Sequence, residues 1–454
     1  MERVIADAAQ FPLAPTVDMS WLDRVRTMRA FNTAPQRFRD AGGPVVIIPF
    51  GPKFLVPTFA MVTSPQGARH VLAGSDETFD KWMVVHVEGR HWLGENVFSQ
   101  THTPWVPRRR ALQPAFTKQN VRNYAGQMVA SAQSAADDWA QRGTVDLNAE
   151  IRRLTLQVVG LSVFGTDLGS HDMELGRSLE QQVRFVTNRA LRPIRAPYWL
   201  PTPYRRRFRR AQAVTMRIIN QAVDDAIADP TRNAPLIREV LDAKDPETGR
   251  GLTRAEVAQE LFAFAFAGHD TTATTLTYAL WQVGRDVDLQ NRIAAEVKAL
   301  GDRPLTAADV ADLPLTVAVI HEALRMFPPA PLIGRMAMRD AVVDGFRIPA
   351  GTNVMVGAIA LHRDPALWSN PDAFEPDRFM PGNGADRDRW QFIPFGGGPR
   401  TCIGDHFAML EAALALATVV RAAKFESVST EITPALPFTM TVAGRVDAKV
   451  TRRT

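Results

Sequence analysis

Most of the chain alternates apolar and polar positions at helical spacing. Amphipathic segments run from about Lys118 to Arg142, Asn148 to Phe164 and Asp172 to Leu191. The longest opens on Thr253-Arg254-Ala255-Glu256, a capping box, and continues to about Gly284, a length of ~45 Å at helical rise. Further helices are predicted from Ser64 to Ala73, Pro314 to Phe327 and Asp405 to Ala423, and a short one before Phe31. Continuous apolar runs instead mark strands. Pro44 to Pro49 and Phe54 to Pro57 read as a hairpin turning at Phe50-Gly51-Pro52. Leu332 to Met338 and Val342 to Ile348 read as strands, and Pro434-Ala435-Leu436-Pro437 as a turn between two more. Two stretches fit neither period: Trp82 to Phe98, and Arg192 to Phe208, which holds four prolines.

The pattern gives helices with a few short strands. The 46% hydrophobic content of the 454 residues is ample for a sizeable core. A net charge of +5 suits an acidic protein partner, and no nucleic-acid-binding motif accompanies it. Every apolar run is shorter than the ~20 residues of a membrane span, and Met1-Glu2-Arg3-Val4 leads into no signal-peptide pattern. A soluble, cytoplasmic protein without a transmembrane anchor is expected. Arg205-Arg206-Arg207 and Arg209-Arg210 read as a solvated helix start, with an anionic substrate head or membrane surface as the sharper alternative.

Cys402 is the only cysteine, so neither an intramolecular disulfide nor a four-thiolate metal site is possible. It follows Phe395-Gly396-Gly397-Gly398-Pro399-Arg400-Thr401, a stretch that forces a compact turn just before a helix, where the helix dipole favours a thiolate. A lone cysteine is commonly a buried, inert side chain, but these neighbours argue otherwise. The stretch resembles the haem-binding loop of the cytochrome P450 family, Phe-x-x-Gly-x-Arg-x-Cys-x-Gly, with Phe395, Gly398, Arg400, Cys402 and Gly404 at the fixed positions.

Three further motifs resemble the family in the family's order. Ala267-Gly268-His269-Asp270-Thr271-Thr272 is poor helix-forming sequence inside a strong helix. It is similar to the oxygen-activation motif, which implies that Thr271 holds a water at the oxygen site and Asp270 relays protons, His269 being structural. Trp105 and Arg109 lie four apart on one helical face and match a haem-propionate pair, with Arg335 a second propionate candidate and Arg400 another. Glu322 and Arg325, with Arg378, resemble the family's structural charge triad, which braces the cysteine loop.

The resemblance covers nearly the whole chain. It implies one mainly helical, triangular α+β domain over residues 1–454, with a small β-rich lobe from about 40–60 and 330–360. Haem b would be ligated by Cys402, shielded by Phe395, and used to insert one atom of O2 into a C–H bond. Trp82, Phe98, Ala263, Ala267, Ala330, Leu332 and Leu436 are the implied pocket positions. They are mainly apolar, which favours a fatty acid or a terpenoid- or steroid-like substrate. The chain shows no flavin or iron–sulfur module, so a ferredoxin or flavodoxin with its reductase is the implied electron source. Arg108, Arg110, Lys118 and Arg122 are a candidate docking face. A peroxide-driven enzyme and a non-catalytic haem sensor are the alternatives. The Asp270/Thr271 pair argues against both.

Overall fold

The computed structural model describes residues 8–52, 56–74, 77–165, 172–190, 192, 195–229, 231 and 234–453. The chain divides into two compact units. The first comprises residues 1–87, 325–373 and 385–402, and the second 88–324, 374–384 and 403–454.

The first unit is built on a sheet of five strands in the spatial order Val45–Ile48, Phe59–Val62, Asn353–Val356, Ile333–Ala337, Phe79–Asp80. Phe59–Val62 pairs antiparallel with Val45–Ile48 and parallel with Asn353–Val356. Val45, Ala60, Val62, Val354 and Val356 bury one face, while Val46, Ile48, Met61 and Met355 bury the other. Both faces being covered explains why the strands read as unbroken apolar runs. The expected second strand of the hairpin is corrected: Lys53–Leu55 lie outside the described residues, and the strand is Phe59–Val62. The strand pairs on both edges from Phe59 onward, and Pro57, which has no N–H to donate, lies ahead of it.

The second unit is mainly helical. Its axis is the helix Arg254–Val283, opened by the expected capping box of Thr253 and Glu256 and closed at Gly284. The helix buries residues along almost its whole length. Against it pack the helices Leu147–Val159, Pro203–Ala228 and Asp405–Ala422. Two small sheets complete the unit, one of them pairing Thr433–Ala435 with Thr441–Ala443. Pro434 and Ala435 therefore belong to a strand, and the turn begins at Leu436.

Other boundaries differ from expectation. The segment expected to be one helix from Lys118 to Arg142 is broken by a 3-10 turn at Arg122–Tyr124. The expected end of a helix at Leu191 lies outside the described residues. The aperiodic stretch from Trp82 contains a helix, Val84–Leu93, that carries a buried glutamate, Glu88, paired with Arg189 at 2.8 Å. No helix among the described residues is long and apolar enough to cross a membrane.

Candidate functional site: a cysteine loop and a threonine-rich helix motif

In the first unit, Cys402 ends a tightly wound loop. Its N–H donates to the Phe395 carbonyl (2.9 Å), as does the Thr401 hydroxyl (3.3 Å). Gly396 and Gly398 adopt φ of 76° and 70°, which L side chains rarely adopt. A Cβ on Gly398 would stand 1.9 Å from the Leu72 carbonyl oxygen, and one on Gly397 would stand 2.4 Å from the Trp390 ring. Gly397 is thus also sterically restricted, which spacing alone did not reveal. Gly404 has an ordinary φ of −97° and open space where a Cβ would be, so sterics do not explain it. Cys402 itself is exposed, two residues ahead of the cap of the helix Asp405–Ala422. Phe395 is half-buried beside it.

Arg400 lies largely buried and pairs with Asp80 at 3.0 Å. Arg335 is buried on the strand Ile333–Ala337, its guanidinium donating to the Gly334 carbonyl (2.8 Å). Burial, with the positive charge of Arg400 beside it, pushes Arg335 down to about 10. Two largely buried guanidiniums thus lie near the buried carboxylate of Asp80, a concentration of positive charge out of water. The carboxylates of a haem would suit such a cluster of guanidiniums. Asp80 carries no sequence signal and was missed.

Arg325 is fully buried and donates to the carbonyls of His362 (2.9 Å), Pro371 (2.6 Å) and Ala373 (2.9 Å). Its ring neighbour is Trp368, 5.2 Å away. Within the second unit, buried Glu322 accepts from Arg378 (3.1 Å) and from the Glu375 N–H (2.8 Å), and Arg378 also pairs with Glu375 (2.9 Å). Arg325 thus serves three backbone carbonyls, which a Glu-x-x-Arg spacing does not show.

On the long helix of the second unit, Thr271 is half-buried and returns its hydroxyl to the Ala267 carbonyl (2.7 Å). Thr274 and Thr275 do the same to Asp270 and Thr271. Three such back-bonds fall within five residues, as the composition predicts, while the helix stays continuous. Asp270 is clasped by Arg152 and by the Thr439 hydroxyl (2.8 Å). His269 is buried, with its Nδ1 3.0 Å from the Thr155 hydroxyl, and burial pushes it down to about 4, so it stays neutral. Arg152 and Thr439 lie over 100 positions from Asp270, and nothing local flagged them.

Trp105 is buried and Arg109 half-buried on the helix His102–Leu112. The expected docking face is corrected. Arg108 is buried between Glu256 (2.5 Å) and Glu260 (3.3 Å), and Arg110 is paired with Asp245 and Glu247. Distant carboxylates neutralise both, leaving only Lys118 and Arg122 exposed. Arg206, Arg207, Arg209 and Arg210 are exposed at the start of the helix Pro203–Ala228.

Of the pocket candidates in the second unit, Ala263 is buried, while Ala267, Phe98 and Leu436 are half-buried. Phe98 belongs to an aromatic cluster in which Phe438 meets Phe98 (6.1 Å), Phe266 (5.7 Å) and Trp92 (5.9 Å). Phe438 was missed; it stands two residues beyond Leu436 on the same loop. In the first unit Ala330 and Leu332 are half-buried and Trp82 is 44% exposed.

The model of the family described as Cytochrome P450 matches residues 18–450. Cyclooctatin synthase of Streptomyces melanosporofaciens is 33% identical, covering 84% of this chain and 82% of that protein. Cyclooctat-9-en-7-ol 5-monooxygenase from the same organism is 29% identical over 84% and 82%. Pentalenene oxygenase of Streptomyces avermitilis is 30% identical over 89% and 88%. The chain belongs to the cytochrome P450 family: it is a mainly helical haem-thiolate monooxygenase that carries haem b and draws on O2 and a redox partner.

Proposed function

We propose that this monooxygenase hydroxylates a terpenoid-like hydrophobic molecule, with Cys402 as the axial thiolate and Asp270 and Thr271 handling protons. The observation that carries the assignment of roles is the setting of Asp270 and Thr271. A carboxylate held by Arg152 and Thr439 is fixed in place yet half-open, suited to passing protons inward from solvent. The one proton of the Thr271 hydroxyl is committed to the Ala267 carbonyl. Its remaining lone pairs therefore accept, and so hold, a water that donates its own proton towards the oxygen site. When bound, the haem supplies O–O cleavage assisted by thiolate electron donation. Arg335 and Arg400, and separately Trp105 and Arg109, would hold its carboxylates. Phe395 would keep water from the sulfur.

The aromatic cluster around Phe438 offers rigid, apolar wall suited to a hydrocarbon skeleton. The relatives named for cyclooctat-9-en-7-ol and pentalenene favour the terpenoid branch of the expectation over fatty acids. Electrons would come from a ferredoxin or flavodoxin with its reductase.

The test is Thr271→Ala in the holoenzyme, supplied with a terpenoid that displaces the ferric Soret band and with a ferredoxin and its reductase. Without the hydroxyl the water is lost. Reductant consumption should persist while product per electron pair falls about tenfold or more and peroxide rises. Unchanged coupling would mean that the proton-handling site lies elsewhere.

A further inference from the structure

The cysteine loop needs an anchor at its entry, and the first unit supplies one that the motifs do not include. Ile393 lies two residues before Phe395 and is buried. Its N–H donates to Nε2 of His362 at 3.0 Å. Its carbonyl accepts from the Gly396 N–H at 3.0 Å, closing the first turn of the loop, and the Phe395 carbonyl then accepts from Cys402. His362 is itself fully buried and fixed. Its carbonyl accepts from Arg325 (2.9 Å), its N–H donates to the Ala358 carbonyl (2.9 Å), and its ring stands 5.1 Å from Phe392. An unbroken series of contacts therefore runs from Arg325 through His362 and Ile393 to Cys402.

The geometry points to His362 as a positioning residue for the Cys402 thiolate, acting through an unprotonated Nε2 that accepts from Ile393. The inference rests on the reading of Cys402 as the haem ligand. It follows from what removal would do. Without the acceptor, the Ile393 N–H is left buried and unsatisfied, a cost large enough to shift a local equilibrium by roughly tenfold or more. The cheapest relief is for residues 393–396 to turn that N–H elsewhere. That movement takes with it the Phe395 carbonyl, on which Cys402 hangs. Nothing in the family motif identifies this position, because the acceptor is 40 residues from the cysteine and works through a backbone amide.

The experiment compares holoproteins of wild type, His362→Gln, His362→Leu and Trp368→Phe by the ferrous–CO Soret band, with far-ultraviolet circular dichroism as the folding check. A glutamine can place an acceptor oxygen near the position of Nε2, whereas leucine fills the volume without one. His362→Gln should retain the red-shifted thiolate band. His362→Leu should shift the ratio of thiolate to non-thiolate forms about tenfold towards the latter. Trp368→Phe loses an indole bond to the Leu361 carbonyl in the same segment and should keep the band. A full thiolate band in His362→Leu, or equal loss in Trp368→Phe, would overturn the inference. If His362→Leu yields no holoprotein, His362→Gln decides: a retained band sustains the role and a lost band overturns it. A wild type without the band would instead overturn the reading of Cys402.

Discussion

At the scale of single residues, Cys402 carries the assignment of the ligand, because no second thiol exists in the chain. Cys402→His should fold and bind haem yet lack the red-shifted ferrous–CO band; an unchanged band would place the ligand elsewhere. Glu260 offers a test that does not involve the haem. It is fully buried, accepts from the Val97 N–H and lies 3.3 Å from Arg108. Burial outweighs these contacts and pushes its carboxyl up to about 7. A raised carboxyl binds its proton more tightly in the folded chain than in the unfolded one. The penalty is therefore absent below about pH 4.5 and grows until about pH 7, to roughly 3 kcal/mol. Glu260→Gln should accordingly gain melting temperature relative to wild type as the pH rises from about 5 to 8. Parallel profiles would show that Glu260 is charged throughout. Such residues were illegible in the sequence. Glu260, Asp80, Arg152 and His362 look like ordinary polar positions until residues far along the chain are brought against them.

At the scale of elements, local rules predicted well wherever the determinant was local. The capping box at Thr253, the proline after the Ser64 cap and the glycine at 284 fix helix ends that the structure reproduces. Hydroxyl back-bonding in the centre of the long helix was legible for the same reason, since it needs only residues four apart. Misreadings arose where an element's fate depended on a distant neighbour. Phe59–Val62 is a strand because Asn353–Val356 waits on its second edge. Arg108 is buried, and Arg110 is paired though still partly exposed, because Glu256, Glu260 and Asp245 come to meet them. The same helix gives a contrast within two adjacent residues. The Thr272 hydroxyl is buried with no hydrogen-bond partner among the described residues, whereas that of Thr271 is engaged. Thr272→Val should thus be stabilising or neutral, by up to about 1 kcal/mol, with coupling of reductant to product unchanged. A loss of coupling as large as in Thr271→Ala would exchange the roles of the two threonines.

At the scale of the whole molecule, each compact unit carries its own share of the expected chemistry. The cysteine loop, Arg335 and Arg400 belong to one, and Thr271, Asp270, Trp105 and Arg109 to the other. The boundary between them falls inside the helix Pro314–Met326, between Leu324 and Arg325. Arg325 is the residue whose loss the first unit should feel most. Its guanidinium serves three backbone carbonyls of the segment that leads, through His362, to the cysteine loop. Arg325→Ala withdraws donors from all three inside a fully buried site, at about 1–3 kcal/mol for each carbonyl left unsatisfied, against a typical total of about 5–15. A lysine is a point charge on a flexible stem and cannot restore a planar fork with several donors, so Arg325→Lys should rescue little. Arg292→Ala is the control, since that guanidinium is half-exposed and pairs with an equally exposed Asp377. It should cost less than about 1 kcal/mol. Expressed in parallel, the Arg325 variants should give little protein carrying the thiolate-type ferrous–CO band, and Arg292→Ala a normal yield. Haem content and melting temperature equal across all three would mean that Arg325 does not brace the loop.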